Sequence, residues 1–330
     1  MKEKILMATG HKHAYHRVST LAAIENGYFR QEGLPDLELI ATGEDRFTVE
    51  DLKSGKIDIG ADVKPGMIFE QHSQGEPLYI LGAMINGLPS TLIGTPDVKT
   101  IADLRGKKIG CKEDGGSREV PWIRMLLRKE GIDPDKDVEW VTHAGFGSLE
   151  IQKPRLDRGD YQAIGLTGHY KRPELFDLVR EAGFNCLAEC TETHPYGLPS
   201  RVIATRGEIL DQYPQEVVKV LKGIIRGYRF SRDKKNVETI RHMYLTYDWG
   251  KEGFGWGKFD ETLLDGQIAS ARYLPPDGGV NVRGMKDIAE EYKRWGKLPA
   301  DYDWEKATRF EFVRQAAKEV DAAYGAPEGY

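Results

Sequence analysis

Cysteine is scarce: the three present, Cys111, Cys186 and Cys190, form neither an even set nor a repeated metal-ligand spacing. They read as small buried residues, with a single disulfide left open. A strongly basic face is missing too. The 47 basic and 52 acidic side chains leave a formal charge of −5 with both signs scattered, which excludes a nucleic-acid-binding stripe. Uninterrupted apolar runs such as 109–111 are far too short to span a bilayer. No Gly-x-Ser-x-Gly elbow and no phosphate-binding Walker loop occurs, and Gly145-Phe146-Gly147 lacks the third glycine of a dinucleotide site. No nucleophile constellation is visible, and neither a metal nor a cofactor is expected. Met1-Lys2-Glu3-Lys4 leads straight into Ile5-Leu6-Met7-Ala8, without the apolar core and small-residue cleavage site of a secretory leader. The protein is therefore expected in the cytoplasm if Met1 is the native start, and in the periplasm if a leader has been removed.

What is present is a globular composition, 40% hydrophobic and 30% charged, over 330 residues, enough for two α/β lobes of middling size. Strand-length apolar stretches alternate with segments of helical period, the pattern of parallel sheets with covering helices. Strands are expected at 4–9, 37–41, 57–61, 78–85, 90–94, 107–112, 138–142, 162–167, 185–190 and 201–205. Helices are expected at 17–29, 49–54, 66–73, 100–104, 120–130, 149–156 and 175–182, and then in a helical tail at 214–232, 237–244, 261–271, 285–295 and 308–324. The Gly/Pro-rich pieces 250–257 and 275–284 read as surface loops.

Six phrases, in order, carry a resemblance. They are Ala23-Ile24-Glu25-Asn26-Gly27-Tyr28-Phe29 with Glu32-Gly33-Leu34, then Leu52-Lys53-Ser54-Gly55-Lys56-Ile57-Asp58-Ile59-Gly60, then Ile101-Ala102-Asp103-Leu104-Arg105-Gly106-Lys107-Lys108-Ile109-Gly110. Leu126-Leu127-Arg128-Lys129-Glu130-Gly131-Ile132 with Asp137-Val138, Leu156-Asp157-Arg158-Gly159-Asp160-Tyr161-Gln162-Ala163, and Ile209-Leu210 through Tyr213-Pro214-Gln215-Glu216-Val217-Val218 follow. Together they cover roughly the first two-thirds of the chain, and the sequence resembles the nitrate/sulfonate/taurine and thiamine-pyrimidine branch of ABC-transporter substrate-binding proteins. The resemblance implies a two-lobed type II periplasmic-binding-protein fold with a ligand cleft between the lobes and a helical C-terminal region packed on the first. Lobe 1 would be discontinuous, residues 1–91 and 201–330, and lobe 2 residues 92–200, joined through Thr91–Thr95 and Pro199–Ile203. A monomer is expected.

In open α/β sheets the ligand lies against loops leaving the carboxyl ends of strands. That rule names Thr9, Gly10, His11, His13 and Tyr15 after the first strand, Val63 and Lys64 after the third, and Asn86 after the fourth. In the second lobe it names Gly115, Gly116, Ser117 and Arg118, then His143 with Phe146, and then Thr167, His169 and Tyr170. Gly115-Gly116-Ser117-Arg118 precedes a helix carrying Trp122: exposed backbone N–H groups and a guanidinium fork suit a carboxylate or sulfonate. The plainer alternative is a helix cap with Arg118 paired to Glu119 or Glu113 on the surface. Lys64 has the same choice between an anionic ligand and a surface pair with Asp62. His11, His13 and His16 crowd one loop, but three imidazoles converging on a metal would need a geometry that loop hardly supplies, so contacts to a polar or aromatic ligand are expected.

Two functions follow. The first is a solute receptor that binds a small organic molecule, anionic or aromatic, and passes it to an ABC permease. The second is a cytoplasmic enzyme on the same fold, resembling thiamine-pyrimidine synthases, chorismate dehydratase-like enzymes or aromatic-acid decarboxylases, with His11, His13, His143 and His169 as acid/base groups. The cysteine-rich run of the eukaryotic pyrimidine synthases is missing, and Cys186-Leu187-Ala188-Glu189-Cys190 is a poor substitute. Fold analogy does not choose between them.

Overall fold

The computed structural model describes residues 4–9, 18–34, 37–42, 45–112, 118–143, 149–167, 175–246 and 268–327. Among them, the strands are β1 (Ile5–Thr9), β2 (Leu37–Ala41), β3 (Ile59–Val63), β4 (Leu78–Ile85), β5 (Ser90–Gly94), β6 (Lys108–Lys112), β7 (Glu139–His143), β8 (Ala163–Thr167), β9 (Asn185–Glu189) and β10 (Arg201–Arg206). They form two five-stranded sheets, ordered β2-β1-β3-β10-β4 and β7-β6-β8-β5-β9. The protein is a two-lobed α/β molecule.

The two sheets share one plan. In the first, β1 pairs in parallel with β2 and β3, and β10 runs antiparallel between β3 and β4. In the second, β6 pairs in parallel with β7 and β8, and β5 runs antiparallel between β8 and β9. The antiparallel strand of each sheet is thus the one that carries the chain across: β5 enters the second lobe and β10 re-enters the first. The alternation of strands and helices suggested parallel sheets; the sheets are mixed because the crossing strands enter against the direction of the others.

The links between lobes are residues 86–89 and 190–200, rather than the expected Thr91–Thr95 and Pro199–Ile203, since Ser90–Gly94 is fully paired within the second sheet. Ser200 ties the links together: its N–H donates to Ile85 O at 3.0 Å and its hydroxyl to Gly87 O at 2.6 Å.

One buried apolar cluster runs through both lobes, from Val63, Ile68 and Phe69 through Leu88 and Leu198 to Leu92, Ile109 and Trp122. The helix Val282–Arg294 plugs into it with Met285, Ile288, Ala289 and Tyr292, an i, i+3, i+4, i+7 stripe. Met285 and Ile288 each contribute about 1.5–3 kcal/mol on burial. A second cluster holds the long helix Pro214–Arg232 and the terminal helix Phe310–Tyr324 against the first sheet.

Several local expectations need correcting. The expected helix 49–54 is Asp45–Lys53, and the expected strand 57–61 is Ile59–Val63. The helix expected from Met285 starts at Val282, because Asn281 caps it: Asn281 Oδ1 accepts from Gly284 N at 3.0 Å. Residues 275–284 are no surface loop. Pro275, Pro276 and Gly278 are buried, and Gly278 O accepts from Ala83 N at 2.9 Å, covering the edge of β4. Of the helix expected over 261–271, the described residues 268–269 are helical and run into a 3-10 turn at Ser270–Tyr273, and 250–257 lies outside the described residues. Cys111 and Cys190 are buried, but Cys186 is exposed on the edge strand β9, and none of the three is joined in a disulfide. Among the described residues no helix is long and apolar enough to cross a membrane.

Candidate functional site

Where the two links run side by side, a cleft opens between the lobes. Lys64, Pro65 and Gly66 line it from the first lobe, and Arg118, Pro121 and Trp122 from the second. Leu88 and Leu198–Ser200 form its base, and Ile288 and Tyr292 reach it from the helix Val282–Arg294, hereafter the C-terminal helix. It holds about 370 Å³ of space unfilled by atoms, counted out to its open mouth.

The first wall is the junction of β3 with the helix Pro65–Ser73. Pro65 suits the first helical turn, since it lacks the N–H that the helix would leave unpaired there. Gly66 lets Tyr292 lie on the backbone: a Cβ at Gly66 would run into the Tyr292 ring. Just before this turn, β3 carries a bulge. Ala61 faces Ile203 and Val63 faces Val202, leaving Asp62 as the extra residue at φ 75°, the one described non-glycine residue with positive φ. Asp tolerates this left-handed conformation better than most residues, and here it brings Asp62 Oδ1 to 2.7 Å from Arg201 Nε.

The expected choice for Lys64 between a ligand and Asp62 resolves differently. Its Nζ lies 3.1 Å from Asp45 Oδ2, with both side chains buried, and Asp62 is taken by Arg201. Val63 is wholly buried in the sheet and does not line the cleft. Asn86 has both ends of its amide engaged: Nδ2 donates to Gly279 O at 2.6 Å and Oδ1 accepts from Asn281 N at 3.0 Å. It fastens the link to the cap of the C-terminal helix.

The opposite wall is the first turn of the helix Glu119–Lys129. Arg118 stands at its N-cap and lines the cleft, with Nε 3.7 Å from Glu119 Oε1. The pair expected on the surface is in fact buried, its side chains 9% and 7% exposed, because Glu119 tucks under β5 and accepts from Ser90 Oγ at 3.1 Å. Trp122 is fully buried and donates from Nε1 to Thr193 Oγ1 at 3.0 Å. Thr193 Oγ1 in turn lies 3.0 Å from His194 Nδ1, on the returning link. Burial holds His194 below the usual imidazole range, the positive charges of Lys129 and Arg283 adding to this against the pull of Asp287. Beside it, Tyr196 donates to Asp287 Oδ2 on the C-terminal helix, and burial together with that carboxylate pushes the phenol up to about 12.

Thr9 and Thr167 end β1 and β8, and His143 ends β7, with backbones paired in their sheets. Gly10, His11, His13, Tyr15, His16, Gly115, Gly116, Ser117, Phe146, His169 and Tyr170 lie outside the described residues. Among the described residues no group of three His, Cys, Asp or Glu side chains is arranged to hold a metal ion.

Sequence reasoning missed Asp45, Arg201, Ser200, Ile288 and Tyr292. Arg201 left a signal, a charge directly before the apolar run Val202-Ile203-Ala204. Ile288 and Tyr292 left none, lying more than 150 residues beyond Trp122, against which they gather.

A cleft between two mixed sheets, floored by two links, agrees with the comparisons. The NMT1/THI5-like family model matches residues 15–235. The chain belongs to the NMT1/THI5-like family. The nitrate/nitrite binding protein NrtA of Synechocystis is 20% identical over 342 residues, spanning 91% of this chain and 73% of its own length. NrtA of Nostoc is 24% identical over 243 residues, 67% of this chain and about half of that protein, 52%. The periplasmic aliphatic sulphonate binding protein SsuA of Escherichia coli superposes with a TM-score of 0.66 at 16% identity, over 93% of this chain and 92% of its own. At that identity the likeness shows the fold, a periplasmic-binding-protein fold. The family match ends at residue 235, so Ile288 and Tyr292 reach the cleft from outside the matched segment.

Proposed function

We propose that the chain is the solute-binding component of an ABC-type importer, closing its lobes on a small organic ligand, anionic or aromatic, held in the interlobe cleft. The observation that carries this reading is the pairing of Lys64–Gly66 with Arg118–Trp122 across one opening, over the two links on which the lobes would turn. The mostly apolar wall, Leu88, Pro121, Trp122, Leu198, Ile288 and Tyr292, suits the body of such a ligand, and Lys64, Arg118 and Ser200 suit its polar group. Residues 1–85 with 201–330 move as one lobe and 90–189 as the other, about the links 86–89 and 190–200, in a monomer that works with a permease in the periplasm.

The test is incubation of the protein with small carboxylates, sulfonates and aromatic acids, with binding read by calorimetry and products by mass spectrometry. Tight binding with ligand recovered unchanged supports the receptor. Turnover that disappears on replacing His11, His13, His143 or His169, in a variant that still binds, makes the protein an enzyme instead.

A further inference from the structure

Lys64 meets the cleft with its charge already answered. Asp45 Oδ2 lies 3.1 Å from Lys64 Nζ and accepts from Arg201 Nη1 at 3.4 Å. Arg201 Nε lies 2.7 Å from Asp62 Oδ1. The four side chains are 10%, 3%, 3% and 0% exposed for Lys64, Asp45, Arg201 and Asp62, so among the described residues they form a nearly dry quartet of two cations and two carboxylates. It touches the cleft through Lys64 and through Ser200, the neighbour of Arg201. Across the opening, Arg118 has Glu119 beside it.

Charges interact strongly where water is scarce, and a carboxylate beside Lys64 cancels most of the field an entering anion would feel. We propose that Asp45 is a specificity-determining residue, the resident counter-ion of Lys64, which narrows the anionic-or-aromatic reading above to its uncharged side: the cleft favours ligands that present a neutral acceptor over small anions. The proposal rests on the cleft being the ligand site. Asp45→Asn keeps the shape of the side chain and leaves the quartet with one net positive charge, so an anion entering from the cleft becomes the missing partner of Lys64.

The probes are methanesulfonate and its neutral analogue dimethyl sulfone, titrated calorimetrically at constant ionic strength. The wild type binds dimethyl sulfone at least as well as methanesulfonate. Asp45→Asn, and Asp45→Ser should Asn fail to fold, gains at least tenfold for methanesulfonate and melts higher when saturated with it. The gain vanishes in Asp45→Asn/Lys64→Met. A wild type that prefers methanesulfonate tenfold, variants with unchanged affinity, or a gain that survives loss of Lys64 each overturns the proposal while leaving the cleft as the ligand site. If neither probe binds any of these proteins, the proposal falls together with the cleft reading.

Discussion

Glu291 and Arg124 meet across the join between the lobes, Glu291 Oε1 accepting from Arg124 Nε at 3.0 Å, with side chains 0% and 1% exposed. Glu291 belongs to the C-terminal helix Val282–Arg294, and Arg124 to the helix Glu119–Lys129 that opens with the cleft wall. Arg128 Nε adds contacts of 3.1 Å to both oxygens of Glu291, Asp135 accepts from Arg124 Nη2 at 2.7 Å, and the Trp295 ring lies 4.5 Å from the Arg124 guanidinium. The same helix places Tyr292 on Gly66 of the first lobe. The C-terminal helix therefore braces both lobes.

Breaking such a pair is costly, because the partner charge stays buried. Glu291→Gln is expected to destabilise the protein by about 3–5 kcal/mol, the range for an uncompensated buried charge. Urea unfolding monitored by circular dichroism measures this. A loss below about 1 kcal/mol would mean that water reaches Arg124.

Gly66→Ala drives a methyl group into the Tyr292 ring and is expected to cost about 1–3 kcal/mol, as overpacking does. Combined with Tyr292→Leu, much of that cost disappears. A double-mutant cycle in unfolding free energy measures the coupling, and strict additivity would separate the two residues.

The fold was largely legible in the sequence, and the site only partly. The strands β2, β4 and β5 have the expected bounds, as does the helix Pro214–Arg232, because apolar runs and periodicity mark an element locally, whatever it packs against. Lys64 and Arg118 were reachable because they follow strand ends. The partner of Lys64 was not, since the Lys64–Asp45 pair depends on how the helix Asp45–Lys53 packs; Glu119 was named beside Arg118, but its burial depends on β5 lying over it. Asn86 fits the strand-end rule equally well, yet its amide is engaged by residues 279 and 281, a contact across 195 positions that no local pattern encodes.

Arg118→Ala is expected to weaken ligand binding by about 1.5–3 kcal/mol, the range for a lost charge-assisted hydrogen bond. Calorimetric titration measures it, and unchanged affinity would remove Arg118 from the site.

His72 and His194 both titrate below the ordinary imidazole range, mainly through burial. For His72 the charges of Arg309 and Lys306 add to this. The folded protein thus resists protonating them, so stability holds above the unfolded pKa of about 6.5 and declines as pH falls below it. The melting temperature is expected to drop from pH 7.5 to 5.5 by less in His72→Gln/His194→Gln than in the wild type. An equal or larger drop would contradict these directions.

The central claim, that two lobes close on a small molecule about the links 86–89 and 190–200, is tested most directly by small-angle scattering with and without a bound ligand. The account predicts a smaller radius of gyration at saturation. Superimposable curves at saturating ligand would contradict it, showing a cleft that does not close.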